Sequence, residues 1–171
     1  MLLDGTYEGF DVCDYKVEFL RQGFQRQYPN FRFHHADVHN TAYNPRGSAS
    51  SATYRFPHAD GSFDVVFAAS VFTHLVPQGA ANYFAETARV LRLDGRALFS
   101  FFILDHYEPG RARPLGCANS YASFDHPYEN LEGFAIADPD DPENSTAYRV
   151  GLIEQMAADA GLQLAQPPLR C

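Results

Sequence analysis

Two kinds of hydrophobic run alternate along this chain. Short blocks of consecutive apolar and aromatic residues are followed by stretches in which apolar residues recur every three or four positions. Residues 7–12 (YEGFDV) predict a short strand. Val17, Leu20, Phe24 and Tyr28 then share a helical face, with Asp14 as its cap and Pro29 as its stop. Residues 31–36 predict a second strand. Residues 40–62, dense in Pro, Gly and Ser, predict a loop without a long helix. Residues 63–69 (FDVVFAA) are apolar on both faces, the pattern of a central parallel strand. Ala80, Phe84, Ala88 and Leu91 mark the next helix, with Glu86 and Arg89 on its other side. Leu93-Asp94-Gly95 predicts a turn, and residues 96–104 (RALFSFFIL) a fourth strand. Residues 105–146, with many Pro, Gly, Asp and Asn, predict a long loop or lid excursion. Residues 147–160 predict a helix with Tyr148, Leu152, Met156 and Ala160 inward, ended by Gly161. Residues 162–165 are the place for a last short strand.

Strands alternating with helices imply an α/β fold, a parallel sheet with right-handed crossovers. The length suits one domain, 1–171, with a sizeable core. Ligands of such sheets lie beyond the carboxyl ends of the strands, so the residues just after each strand are the candidates. The first strand ends at Asp11, whose carboxylate suits a ribose diol, with a helix cap or turn acid as the simpler role. The second ends at Asp37-Val38. An acid beside an apolar side chain suits an adenine ring, the acid accepting from the exocyclic amine and Val38 packing on the face. Plain turn chemistry is the alternative. After the third strand, Ala69 and Ser70 are small enough for close approach of a ligand. His74 and His106 come after the third and fourth strands and are candidate bases or orienting groups. A helix cap or a bond to a backbone carbonyl is the simpler role for His74, and ordinary loop surface for His106. Tyr107, Tyr121, Phe124 and Tyr128 either wall an apolar pocket or pack the excursion onto the body.

Composition narrows the partners. With 46% hydrophobic and 15% aromatic residues the chain is expected to fold. A formal net charge of -8 and no Lys/Arg cluster argue against nucleic acid as a partner. The three cysteines, Cys13, Cys117 and Cys171, form no CxxC, which fits a reducing, cytoplasmic setting. No apolar run reaches the roughly 20 residues that span a bilayer, and the first residues lack a signal-peptide pattern; neither export nor a membrane is expected. The HHADVH segment places His35, Asp37 and His39 at one strand parity, but it crosses from strand into loop, and no metal is expected there. The acidic run at 138–143 (DPDDPE) lacks the spaced ligands of an EF-hand.

As a set, YEGFDV with Asp11, YPNFRFHHAD with Asp37, RFPHADGSFDVVFAASVFTHL and ETARVLRLDGRALFSFFIL resemble the class I S-adenosylmethionine-dependent methyltransferases, of the small-molecule type called methyltransferase type 11 or 25. The resemblance covers about residues 7–104, with weaker likeness in AYRVGLIEQMAADAGLQL. It implies a Rossmann-like three-layer α/β/α sandwich with a mostly parallel sheet. It also implies S-adenosyl-L-methionine as cofactor, with Asp11 on the ribose hydroxyls and Val12 beside it, Asp37 and Val38 framing the adenine, and Ala69 and Ser70 near the methionine part. The reaction implied is methyl transfer to a small-molecule oxygen or nitrogen nucleophile.

One departure matters. The family's glycine-rich turn, of the E/D-x-G-x-G-x-G kind, has no counterpart, since Gly5 and Gly9 lack its spacing. A sheet truncated at its first strand and at its final hairpin is therefore expected. Exposed strand edges would favour self-association, and activity would be impaired. The alternative is a non-catalytic methyltransferase-like fragment or binding domain. A nicotinamide-dependent half-domain is a third reading, which FDVVFAASVFTHL followed by RVLRLDGR fits poorly.

Overall fold

A computed structural model describes residues 5–107 and 123–165. The chain divides into two compact units, residues 1–50 and 51–171. No helix among the described residues is long and apolar enough to cross a membrane.

In the first unit, β1 (Tyr7–Asp11) lies parallel to β2 (Phe31–His35), with Tyr7 opposite Phe31 and Asp11 opposite His35. The connection is α1 (Asp14–Leu20), which runs on into a π-type turn at Arg21–Gln25. The wider turn inserts an extra residue and rotates the downstream side chains by about 100°. This explains why the expected helical face is only partly buried. Val17 is 1% exposed, yet Phe24 is 42% exposed and packs through its ring on Tyr28 and Phe31. Arg21 Nε donates to the Phe33 carbonyl at 2.8 Å and ties this turn to β2.

In the second unit, β3 (Phe63–Ala68) is parallel to β4 (Leu91–Phe99), joined through α2 (Pro77–Val90). Pro77 opens α2 at a position where its missing N–H costs nothing. The two-stranded pair has one covered face. The Phe99 ring centre lies 4.5 Å from that of Phe72 and 5.4 Å from that of Phe84. On the other face Val65, Phe67 and Leu98 are 61%, 55% and 70% exposed. The expectation of a strand buried on both faces is thus corrected: among the described residues β3 pairs with β4 alone, and its Val65 and Phe67 side chains stay more than half exposed. The Leu93-Asp94-Gly95 turn forms an irregularity inside β4, where the register jumps between Phe63 and Val65 and Asp94 takes φ 65°.

The expected fourth strand is broken. β4 ends at Phe99, and β5 (Phe102–Ile103) belongs to another sheet, ordered β5-β8-β7-β6. In it β6 (His126–Pro127) and β7 (Phe134–Ile136) come from the segment expected to be a loop or lid. The remaining member, β8 (Thr146–Tyr148), pairs antiparallel to β7 and parallel to β5. Tyr148 is therefore a fully buried strand residue rather than part of the last helix, α3 (Val150–Asp159), which buries Ile153, Met156 and Ala157. Residues 162–165 form no strand. Among the described residues, then, two parallel pairs and a mixed four-stranded sheet stand where one mostly parallel sheet was expected.

Candidate cofactor site

In the first unit the β1–β2 register brings both predicted acids to one sheet edge. Asp11 ends β1, and its carbonyl accepts the Ala36 N–H at 3.0 Å. Asp37 comes one residue later. The Asp11 carboxylate is half-buried, and its Oδ1 accepts the Cys13 N–H at 2.8 Å, a turn that starts α1. Val12 gives its carbonyl to the His35 ring, 3.1 Å from Nε2. The structural role expected for Asp11 is thus realised with one oxygen. A carboxylate has about four acceptor positions, so this does not exhaust it.

Asp37 is exposed, and Val38 beside it is 3% exposed. A loop absent from the sequence-based candidates holds them. Ser48 Oγ donates to Asp37 Oδ2 at 2.5 Å. Ala49 N–H donates to the Asp37 carbonyl at 2.9 Å, and the Ala49 carbonyl accepts His39 N–H at 2.8 Å. Asn44 Nδ2 donates to the Val38 carbonyl at 3.0 Å. A side chain at Gly47 would place its Cβ 2.5 Å from the Val38 carbonyl group, so only glycine permits this approach. The Ser48 hydroxyl, the Ser48 N–H and the Asn44 amide, with His35 nearby, pull the Asp37 carboxyl below its ordinary value. The signal for these residues was the Asn-Pro-x-Gly-Ser run at 44–48, which reads only as a turn.

In the second unit Ala69 and Ser70 come directly after β3 and are exposed. Ser70 takes φ 55°, unusual for a residue with a Cβ, and its N–H is held by Ser100 Oγ at 2.8 Å. His74 lies in a short 3-10 turn, Phe72–His74, and its Nδ1 is 3.1 Å from the Glu143 carbonyl. A carbonyl can only accept, so Nδ1 carries the proton. His106 is exposed in a second short turn, Leu104–His106. Phe124 is 5% exposed and packs on Phe102 and Tyr107, and Tyr128 packs on Phe134. Phe124 on Phe102 fastens the excursion to β5, while the Tyr107 and Tyr128 contacts lie within the excursion itself. Tyr121 lies outside the described residues.

Two histidines of the HHADVH segment have partners for their side chains. His34 Nε2 is 2.7 Å from Glu8 Oε2, and His35 turns to the Val12 carbonyl.

Residues 2–99, more than half the chain, match the family described as a methyltransferase domain. Among solved structures, a protein from Pyrococcus horikoshii OT3 superposes with TM-score 0.56 at 16% identity, covering 90% of this chain and 61% of that one. A SAM-dependent methyltransferase from Methanosarcina mazei superposes with TM-score 0.51 at 20% identity, covering 91% and 68%. At such identities the likeness is one of fold, Rossmann-like α/β. This chain spans about two thirds of the length of either. Acids after consecutive parallel strands, the FDVVFAAS strand end and the match over residues 2–99 agree: the chain belongs to the methyltransferase-domain family, the class I S-adenosylmethionine-dependent type.

Proposed function

We propose that the protein binds S-adenosyl-L-methionine and transfers its methyl group to a small-molecule oxygen or nitrogen nucleophile. The observation that carries this reading is the pair of carboxylates, Asp11 and Asp37, at the carboxyl edge of two paired parallel strands. The acceptor types fit the nucleoside half of the cofactor: two carboxylates for the ribose diol and the exocyclic amine. When bound, the cofactor supplies a methyl group on a positively charged sulfur. What these residues contribute is binding and orientation, and alignment of reactants is a large part of catalysis in an in-line displacement.

For the methionine half, Ala69 and Ser70 are the candidates, with the Ser70 backbone held in its left-handed conformation by Ser100. His74 is a rim residue. Its Nδ1–H on the Glu143 carbonyl orients the ring, which an anchor and a proton acceptor alike need. His106 is the second candidate. Residues 1–171 contain no glycine-rich turn, so weak turnover by this chain alone is part of the proposal.

A non-catalytic binding role is the second reading. The 61% and 70% exposure of Val65 and Leu98 favours it, since parallel sheets are ordinarily covered on both sides.

Calorimetric titration of S-adenosylmethionine and S-adenosylhomocysteine into the 171-residue chain, with Asp11→Ala as control, tests the proposal. Saturable binding lost in the control supports it. A folded chain that binds neither compound leaves the non-catalytic reading.

A further inference from the structure

We infer that Ser48 is a positioning residue that fixes the Asp37 carboxylate as an acceptor for a 6-aminopurine, and so sets the base preference of the site. This rests on the nucleoside reading above and adds the residue that gives it specificity. Three features of the loop carry it. The main chain on either side of Asp37 is bracketed by Ala49, whose N–H holds the Asp37 carbonyl at 2.9 Å and whose carbonyl holds His39 N–H at 2.8 Å. The Gly47 backbone lies so close to the Val38–His39 peptide that a Cβ there would come within 2.5 Å of His39 N and the Val38 carbonyl. With the main chain pinned, the freedom left to Asp37 is rotation of its side chain, and Ser48 Oγ removes it by donating to Oδ2 at 2.5 Å.

The base preference is a matter of donors and acceptors. An ionised carboxylate only accepts. A hydroxyl on one of its oxygens leaves the other to take the N–H of an exocyclic amine. A 6-oxopurine presents a carbonyl oxygen at that position and meets an acceptor instead of a donor. Discrimination of this kind, an acceptor set against an acceptor in the wrong complex, is stronger than discrimination by shape. The hydroxyl contact and the Asn44 amide also hold Asp37 ionised, the only form that accepts with both oxygens.

Ser48 is exposed and makes no contribution to a hydrophobic core, so Ser48→Ala is expected to fold. The test is calorimetric titration of S-adenosylhomocysteine and its 6-oxo analogue, S-inosylhomocysteine, into wild type, Ser48→Ala, Ser48→Thr and Asp37→Asn. Loss of one charge-assisted positioning contact predicts about three- to tenfold weaker S-adenosylhomocysteine binding in Ser48→Ala. Binding of the 6-oxo analogue is expected to stay unchanged, and Ser48→Thr to restore the preference. Equal weakening for both analogues overturns the inference, because a merely structural role lowers both. Full affinity in Ser48→Ala, with affinity lost in Asp37→Asn, overturns it while leaving the site intact. Absence of any binding to wild type overturns the nucleoside reading itself, and this inference with it.

Discussion

Arg89 Nη2 lies 2.6 Å from Glu86 Oε2, three residues back on α2, and the two side chains are 15% and 12% exposed. The pair reaches beyond its own helix. Glu86 Oε2 also accepts the Phe56 N–H at 2.7 Å. Arg89 donates to the His58 carbonyl at 2.8 Å and to the Phe56 carbonyl at 3.1 Å. One ion pair therefore closes the 56–60 loop onto α2 with bonds to main-chain groups that no helix or sheet satisfies. Asp60, exposed, adds a contact to Arg89 Nη1 at 2.6 Å.

Glu86→Gln is expected to lower stability by about 1.5–3 kcal/mol, the scale of a hydrogen bond to a charged group in a shielded place. The Arg89 hydrogen bond holds the Glu86 carboxyl below its ordinary value. A depressed folded pKa means that the stabilisation is full above the unfolded value and is lost as pH falls through the folded value. Urea denaturation at a series of acidic pH values should show a steeper decline for wild type than for the variant. Parallel curves would remove Glu86 as a source of acid sensitivity.

Tyr148 makes a different kind of tie. Its side chain is fully buried, and its hydroxyl donates to the Leu75 carbonyl at 2.5 Å, while the neighbouring Thr146 Oγ1 donates to the Phe72 carbonyl at 3.0 Å. These bonds fasten β8 to the turn that carries His74. Tyr148→Phe strands the Leu75 carbonyl and is expected to cost about 1–3 kcal/mol in chemical denaturation. Burial raises the phenol pKa of Tyr148, and of Tyr83 on α2. A raised folded pKa gives stability that is present below the unfolded value, about 10 for tyrosine, and lost at higher pH. Ultraviolet titration should therefore show the exposed tyrosines ionising first, with a last group that includes Tyr83 and Tyr148 ionising together with loss of the fold. Ionisation of every tyrosine before unfolding would contradict their burial.

These ties also show where the sequence is legible. β1 and β2 rest on local pattern, and they form within a residue of expectation, whereas Leu91, expected on the helical face, opens β4. The two acids at the strand ends follow directly, because a strand's carboxyl edge is fixed once its end is known. β8 is different. Its three residues bury because β5 and β7 flank them, and that pairing joins segments far apart in sequence; Tyr148 matched helical spacing with Met156 by coincidence. Glu86 and Arg89 read only as the side opposite the apolar face because their partners are main-chain groups about thirty residues away, the Phe56 N–H for Glu86 and the Phe56 and His58 carbonyls for Arg89. Ser48 was hidden for the same reason: a hydroxyl in a turn has no periodicity to betray it.

His74→Ala separates anchoring from chemistry. Loss of the Glu143 contact is expected to cost about 1 kcal/mol of stability and to leave S-adenosylhomocysteine affinity unchanged. Turnover measured beside affinity decides the rest. A general base contributes about 10²- to 10⁴-fold. A fall of that size in turnover at constant affinity would make His74 the base, whereas a fall matching the loss of folded protein keeps it an anchor.

The exposed side chains of β3–β4 set the last expectation. Val65 and Phe67 on β3 and Leu98 on β4 stand side by side, since Phe67 is opposite Leu98 in the register. Burying apolar surface is worth about 25 cal/mol per Å², and an open sheet also offers an unpaired strand edge. The purified 171-residue chain is therefore expected to self-associate with rising concentration in light scattering. Because both residues are already exposed, Val65→Lys with Leu98→Lys should shift the chain toward monomer without lowering its melting temperature. Loss of the fold in the double variant would mean that this face is covered within the monomer in solution. A wild-type chain that stays monomeric at every concentration would mean that the face, though apolar, is not complementary to itself.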